Sequence, residues 1–156
     1  FAPDVLARMG ADVQFTSNHC TVTGPDKLQG IDIDLNAMPD MAQTLACVAP
    51  FADGPTTIRN IGSLRVKETD RLAALETELN RLGIPATVDG DDLHVPPVER
   101  ITPAAVDTYD DHRMAMSFAL IGLKQPGVTI NDPGCVNKTF PRYFDYLDRL
   151  ARAAEH

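Results

Sequence analysis

The sequence contains no tryptophan, and aromatic residues make up only 6% of its 156 residues. A hydrophobic core must therefore be built mainly from Leu, Ile, Val, Ala and Met. This is feasible because 44% of the residues are hydrophobic and a chain of this length can bury a sizeable core. No apolar run approaches the roughly 20 residues that span a bilayer, and no signal-peptide pattern is present. These absences argue against a membrane protein.

Cysteine and histidine are also few. The chain has three cysteines, none in a CxxC pair, and four histidines that are scattered along its length. An odd number of cysteines without such spacing is not typical of a disulfide framework or a zinc site. We therefore expect reduced thiols, a cytoplasmic location and no metal site.

Basic residues are outnumbered. The sequence has 14 Lys and Arg against 22 Asp and Glu, which gives a formal net charge of −8. This balance argues against a general surface for nucleic acid or for anionic membranes. If the ligand is an anion, a local cationic pocket must bind it.

The most informative stretch of the chain is residues 65–83, RVKETDRLAALETELNRLG. Leucines recur in it at three- and four-residue spacing, at Leu72, Leu75, Leu79 and Leu82. This pattern predicts an amphipathic helix that ends at Gly83. Lys67 and Arg71 are four residues apart, so we expect them to share a face at the start of that helix, where the dipole disfavours cations. Alone, such a turn is compatible with a solvated group of ion pairs.

The order of the predicted elements is repeated. After a helix that ends at Gly10, alternation and turn residues predict strands at 11–16, 20–23 and 31–35, a helix at 41–52, a strand at 56–61 and the helix at 65–83. The same β-β-β-α-β-α order follows, with strands at 86–88, 93–95 and 105–109, a helix at 114–123, a strand at 128–132 and a helix at 140–154. We infer an internal repeat with a period of about 72 residues and approximate units 1–72 and 73–156. Two such units sharing a core predict one α/β domain with mixed sheets.

The repeat aligns several charged residues with predicted helix N-termini. Lys67 and Arg71 open the first, Arg113 opens the second, and Lys138 just precedes the third, for which Thr139 is the candidate cap. Free N–H groups and an added base together make an anion site, so converging ends would bind a ligand with several phosphates or carboxylates. Asp40 heads the remaining helix, and beside such a pocket Asp40 and Glu68 are candidate acid–base groups.

Two of these residues have simpler interpretations. Asp40 is compatible with a helix cap or a partner of the helix dipole. Arg113 is compatible with a salt bridge to Asp110 or Asp111, which precede it in the sequence.

Four segments together resemble a known family. RVKETDRL (65–72), YDDHRMAM (109–116), MPDMA (38–42) and NKTFPRYF (137–144) are similar to signature segments of the 5-enolpyruvylshikimate-3-phosphate synthase family, in that family's order. The resemblance implies two similar domains, each of three βαβαββ units, with this chain as about two units of one domain and the N-terminal part of the enzyme absent. It also implies transfer of the enolpyruvyl group of phosphoenolpyruvate to the 5-hydroxyl of shikimate 3-phosphate, without metal or cofactor.

The resemblance assigns roles to the charged residues. It implies that Arg71 and Arg113 hold the carboxylate of phosphoenolpyruvate and that Lys138 meets its phosphate, with Lys67 between the two substrates. Asp40 would accept the 5-hydroxyl of the shikimate as base. Glu68 is the expected proton donor to the methylene carbon, although the division of work between the two carboxylates stays open.

One position departs from the family pattern, because Ser63 stands where the family often has an Asn that touches the shikimate phosphate. Ser63 is kept as a weaker candidate, since a hydroxyl can still donate one hydrogen bond. Two other hypotheses stay open: a non-catalytic anion-binding or assembly module, and an enolpyruvyl transferase with another acceptor. We expect anionic small molecules and the absent N-terminal part of the polypeptide as partners, and no activity from this chain alone.

Overall fold

The computed structural model describes residues 1–153. Its β-strands are β1 (Asp12–Phe15), β2 (Cys20–Thr23), β3 (Asp32–Asp34), β4 (Thr56–Arg59), β5 (Thr87–Asp89), β6 (Asp92–Val95), β7 (Ala104–Val106) and β8 (Val128–Ile130). Its α-helices are α1 (Ala42–Val48), α2 (Arg71–Arg81), α3 (His112–Lys124) and α4 (Tyr143–Ala153). The order β-β-β-α-β-α is present in both halves. Residue 154, the last of the helix predicted at 140–154, lies outside the described residues.

The strands form three sheets. The largest has the order β3-β4-β6-β5, in which β3 and β4 are parallel and the other pairs are antiparallel. Its elements follow one another as β3-α1-β4-α2-β5-β6, a βαβαββ unit like that implied by the family. β7 and β8 form a second parallel pair around α3. β1 and β2 form a hairpin whose strands, within residues 1–153, pair only with each other.

The backbone at the strand ends supports the repeat. Asn60 immediately follows β4, and Asp132 lies two residues after β8. Both adopt positive φ angles, 58° and 47° respectively. Each leads into a 3-10 helix, Gly62–Val66 in the first half and Pro133–Lys138 in the second. The separation between Asn60 and Asp132 equals the predicted period of about 72 residues. The unit boundaries 1–72 and 73–156 stay a prediction.

The core is aliphatic, as expected from the composition. The four leucines of the α2 pattern are fully buried and join one cluster with residues of the sheet and of α1 and α3, namely Leu72, Leu75, Leu79 and Leu82. Gly83 adopts a left-handed φ of 76°, which confirms the predicted helix end. Within residues 1–153, no helix is both long and apolar enough to cross a membrane.

Two predicted helix starts are wrong, those of α2 and α4. α2 begins at Arg71 rather than at residue 65, because the Asp70 carboxylate accepts a hydrogen bond from the Ala73 N–H (3.0 Å) and caps the helix there. Lys67 therefore lies before the helix, in extended backbone. α4 begins at Tyr143 rather than at Phe140, so Thr139 does not cap it. Proline disfavours helical backbone at the residue before it, and Pro141 therefore disfavours a helix at Phe140. The first segment is a short π-helix, Ala2–Leu6.

Candidate functional site

Asp40 lies between two arginines. It belongs to the 3-10 helix Pro39–Met41 that leads into α1, whereas Arg71 and Arg113 are the first and second residues of α2 and α3. Arg71 Nη1 is 2.9 Å from Asp40 Oδ1, and Arg113 Nη2 is 3.3 Å from Asp40 Oδ2. The structure therefore brings together three of the residues predicted from the sequence.

Arg71 is buried and surrounded by carboxylates. Its side chain is 1% exposed, and its Nε and Nη2 donate to the two oxygens of Asp111 at 2.6 and 3.2 Å. Glu68 Oε2 is a further 2.8 Å partner of Nη2. With Asp40 on Nη1, these contacts occupy four of the five N–H donors of a guanidinium. The two-pronged fork of Arg71 is thus directed at Asp111, and one N–H on Nη1 is left for a ligand.

Asp111 connects the two helix starts. Its side chain is fully buried, and Oδ1 also accepts from the Arg113 backbone N–H (2.8 Å), which caps α3. Burial raises the pKa of this carboxyl, but the hydrogen bonds from Arg71 and from the Arg113 N–H outweigh burial, so its pKa is lowered. The sequence suggested a salt bridge from Arg113 to Asp110 or Asp111. The structure instead places the Arg113 side chain on Asp40.

We call Asp40, Glu68, Arg71, Asp111 and Arg113 the ion-pair cluster. Three of its side chains remain partly open to solvent: Arg113 at 34%, Asp40 at 39% and Glu68 at 38% exposed. Asp40 and Arg113 also line a hollow of about 210 Å³ between α1, α3 and α4. The cluster therefore presents one accessible cation and two accessible carboxylates over a buried ion pair.

The other predicted residues lie around this cluster. Lys138 is exposed at the end of the 3-10 helix Pro133–Lys138, and its Nζ donates to the Asp110 carbonyl oxygen (3.1 Å). Lys67 is exposed, and no hydrogen bond or ion pair within the described part of the chain joins it to the arginines. Ser63 is exposed and lines a separate polar hollow of about 280 Å³. The structure links Lys138 to the cluster through the backbone, and it does not link Lys67 or Ser63 to it.

Sequence reasoning missed three buried polar residues in or beside the cluster. Asp111 was considered only as a partner of Arg113. Gln43 is fully buried, and with its amide oxygen turned toward Arg71 Nε and its amide nitrogen toward the Asp40 carbonyl oxygen, both contacts are 3.0 Å. His112 is buried, and its Nδ1 has no hydrogen-bond partner within residues 1–153. Burial lowers the pKa of His112, so its ring is neutral at pH 7.

Different signals could have revealed these residues. Asp111 precedes an apolar helix and so fits the usual N-cap pattern. For Gln43 and His112 no local signal indicates burial. Within residues 1–153, no group of three or more His, Cys, Asp or Glu side chains is arranged to hold a metal ion.

The sequence matches the family model described as EPSP synthase (3-phosphoshikimate 1-carboxyvinyltransferase) over residues 1–147. The 3-phosphoshikimate 1-carboxyvinyltransferase of Nostoc punctiforme is 54% identical over 141 residues, which cover 90% of this chain and 33% of that protein. The chloroplastic protein of that name from Arabidopsis thaliana is 49% identical over 156 residues, covering 96% and 30%. The chain thus spans about a third of the length of these relatives.

Solved structures show the same fold. The EPSP synthase of Acinetobacter baumannii superposes with a TM-score of 0.83 at 24% identity, over 94% of this chain and 38% of that one. The enolpyruvyl transferase NikO from Streptomyces tendae gives a TM-score of 0.70 at 28% identity, over 94% and 34%. The α/β class and the enolpyruvyl transferase fold expected from the resemblance are confirmed.

The ion-pair cluster predicts an unequal response of two aspartates to the same substitution. Asp111→Asn leaves the buried charge of Arg71 without its main partner, so we expect the free energy of unfolding to fall by about 3–5 kcal/mol. Asp145→Asn, in the exposed pair with Arg142, should change it by about 1 kcal/mol or less. Urea denaturation of both variants measures this. Equal losses would contradict the central place of Asp111.

The same pair predicts a pH dependence. Because the pKa of Asp111 is lower in the folded protein than its ordinary value of 3.8, its stabilisation is fully present above pH 3.8 and is lost as the pH falls through the lowered value. The stabilities of the unsubstituted chain and of Asp111→Asn should therefore converge below pH 3.8. Urea midpoints measured between pH 2 and 7 test this, and parallel curves would contradict it.

Proposed function

Because the chain belongs to the EPSP synthase family, we propose that it supplies part of the active site of a 3-phosphoshikimate 1-carboxyvinyltransferase. This enzyme would transfer the enolpyruvyl group of phosphoenolpyruvate to the 5-hydroxyl of shikimate 3-phosphate and release phosphate. The observation that carries the proposal is the Asp40 carboxylate between Arg71 and Arg113, at the starts of two helices. Such a place suits an anionic substrate beside a group that can move a proton.

Arg113 is proposed as the main ligand of the phosphoenolpyruvate carboxylate. Its guanidinium is partly exposed, and its contacts with Asp40 are long, at 3.3 and 3.4 Å, so it can exchange them for a substrate carboxylate at little cost. Arg71 adds its one unused N–H and holds Asp40 and Glu68 in place. A planar fork suits a carboxylate, whereas a lysine suits a phosphate. Lys138 is accordingly proposed for the phosphate of phosphoenolpyruvate.

Asp40 and Glu68 are proposed to divide the proton transfers. The 5-hydroxyl oxygen bonds to the central carbon of phosphoenolpyruvate while the methylene carbon gains a proton. The double bond re-forms when phosphate leaves and the methyl group gives up a proton. This addition needs a base at the hydroxyl and an acid at the methylene. Both carboxylates contact the same guanidinium and are open to solvent, so both can meet the substrates. The family resemblance favours Asp40 as the base and Glu68 as the acid.

Lys67 and Ser63 have the least structural support. Lys67 is proposed to lie between the two substrates, and Ser63 to donate to the phosphate of shikimate 3-phosphate. Both side chains are exposed, so both are free to meet a ligand.

We propose that the opposite wall of the site and the remaining phosphate contacts come from outside residues 1–156. The chain spans about a third of the length of its relatives, and in such sites closure around the ligands excludes water. The proposed compartment is the cytoplasm; the Arabidopsis thaliana relative is named as chloroplastic. An acceptor other than shikimate 3-phosphate is less well supported, because the matching family model and the relatives at 49–54% identity are all named 3-phosphoshikimate 1-carboxyvinyltransferase.

The activity itself can be tested by phosphate release. A polypeptide of full family length that carries these 156 residues should release phosphate only when phosphoenolpyruvate and shikimate 3-phosphate are both present. The chain of residues 1–156 alone should show no turnover, and by NMR titration it should bind either substrate with a Kd of about 1 mM or weaker, because an open half-site leaves its cations solvated. Turnover or micromolar binding by residues 1–156 would contradict the proposed missing wall.

The carboxylate contact of Arg113 can be tested by two substitutions in the full-length polypeptide. Arg113→Ala should lower kcat/KM for phosphoenolpyruvate by about 2–5 kcal/mol in transition-state terms. Arg113→Lys should also be poor, because an ammonium cannot form the fork. Arg152→Ala, at an exposed arginine of α4, is the control. Near-normal efficiency of Arg113→Lys would exclude the proposed role.

The roles of the two carboxylates can be separated from binding in the same enzyme. Asp40→Asn and Glu68→Gln keep the shape of each side chain but remove its proton affinity, so kcat should fall much more than KM rises. Glu99→Gln, at an exposed position, should leave both constants unchanged. A variant in which only KM changes would show that its residue binds substrate and transfers no proton.

A further inference from the structure

A second buried carboxylate lies two turns along α2 from Arg71. Glu78 is fully buried and has three partners: the Tyr109 hydroxyl donates to Oε1 (2.7 Å), while the Asp107 N–H (3.1 Å) and Arg81 Nη1 (3.0 Å) lie on Oε2. A buried carboxylate is costly unless such donors satisfy it. Nothing in the proposed chemistry uses Glu78, so the burial of its carboxylate needs another explanation.

The partners of Glu78 begin a loop with unusual backbone. Residues 107–111 connect β7 to α3, and we call them the 107–111 loop. Tyr109 and Asp110 in it have φ angles of 56° and 54°. Two consecutive residues other than glycine in left-handed backbone are uncommon, and a bulky side chain such as Tyr makes the conformation less favourable. External contacts must hold the loop in this shape.

This loop contacts the side chains of two residues proposed to bind phosphoenolpyruvate, Lys138 and Arg71. The Asp110 carbonyl oxygen accepts from Lys138 Nζ (3.1 Å). The next residue, Asp111, accepts both Nε and Nη2 of Arg71. The direction of the Asp110 carbonyl depends on the left-handed backbone at Tyr109 and Asp110. The shape of the loop therefore decides where Lys138 and Arg71 lie.

We propose that Glu78 and Tyr109 are positioning residues, which hold the 107–111 loop in its left-handed shape so that Lys138 is aimed at the phosphate of phosphoenolpyruvate. This inference rests on the proposed function. Burial and the contact with Glu78 raise the pKa of Tyr109 to about 12, so at neutral pH its hydroxyl carries the proton that it donates.

A purely structural role is the competing explanation. Arg81 also contacts the Ala105 carbonyl oxygen and the Asp107 carboxylate, so the network joins α2 to the end of β7 and stabilises the fold. Removing Glu78 would disturb the shape of the 107–111 loop and the stability of the fold together. Removing only the Tyr109 hydroxyl leaves the contacts of Glu78 with Arg81 and with the Asp107 N–H in place. This change therefore separates positioning of the loop from the link between α2 and β7.

The test uses Tyr109→Phe in the polypeptide of full family length. Tyr146→Phe is a matched control, because both tyrosines are 41% exposed and the Tyr146 ring contacts Phe140 and Arg142, which are not members of the ion-pair cluster. For Tyr109→Phe we expect KM for phosphoenolpyruvate to rise roughly tenfold, as for the loss of one hydrogen bond to a charged group. KM for shikimate 3-phosphate should stay close to the unsubstituted value, whereas the urea midpoint should fall, because Oε1 of the buried Glu78 loses its donor. Tyr146→Phe should change none of these quantities.

Either of two results would overturn the inference: an unchanged KM for phosphoenolpyruvate, or an equal rise in both KM values. If the unsubstituted enzyme shows no turnover, the proposed function fails, and a crystal structure of Tyr109→Phe decides the inference separately. Loss of the Lys138–Asp110 contact supports it, and an unchanged 107–111 loop refutes it.

Discussion

The buried contact between Arg71 and Asp111 is the interaction on which the rest of the site depends. A guanidinium at a helix start is disfavoured by the helix dipole and, when buried, by the loss of water. Asp111 offsets both terms, because it receives two N–H groups of Arg71 and also caps α3. One carboxylate thus fixes two helices against each other. Asp40, which lies between Arg71 and Arg113, extends this arrangement to the start of α1.

Most of the elements could be predicted from the sequence, because their signals are local. The leucine spacing of α2 and the glycine at its end each reflect the geometry of a single helix. The predicted start of α2 at residue 65 was wrong because the charged residues at 65–70 are compatible with a helix and with a loop. Asp70 decides between them through one hydrogen bond to Ala73. A similar competition at Pro141 moved the start of α4.

The site was predicted in part, for a physical reason. The repeat placed Asp40, Arg71 and Arg113 at the starts of three predicted helices, and such starts meet when the units share a core. Burial is a property of the packed chain and left no trace in local sequence at Gln43 or Glu78. The occupied fork of Arg71 could not be foreseen either, since its partner Asp111 is 40 residues distant along the chain.

The pairing of β6 with β4 means that the two halves are interlocked. The β5–β6 hairpin follows α2 in the chain, yet it completes the sheet that β3 and β4 began, with Val95 opposite Thr56. A cut between α2 and β5 would leave an open strand edge on one piece and an unpaired hairpin on the other. The sequence repeat is therefore not a unit of folding. The first half takes its closing strands, β5 and β6, from the second half, so the first half is not autonomous, and damage to the β5–β6 hairpin disrupts the sheet of the first half.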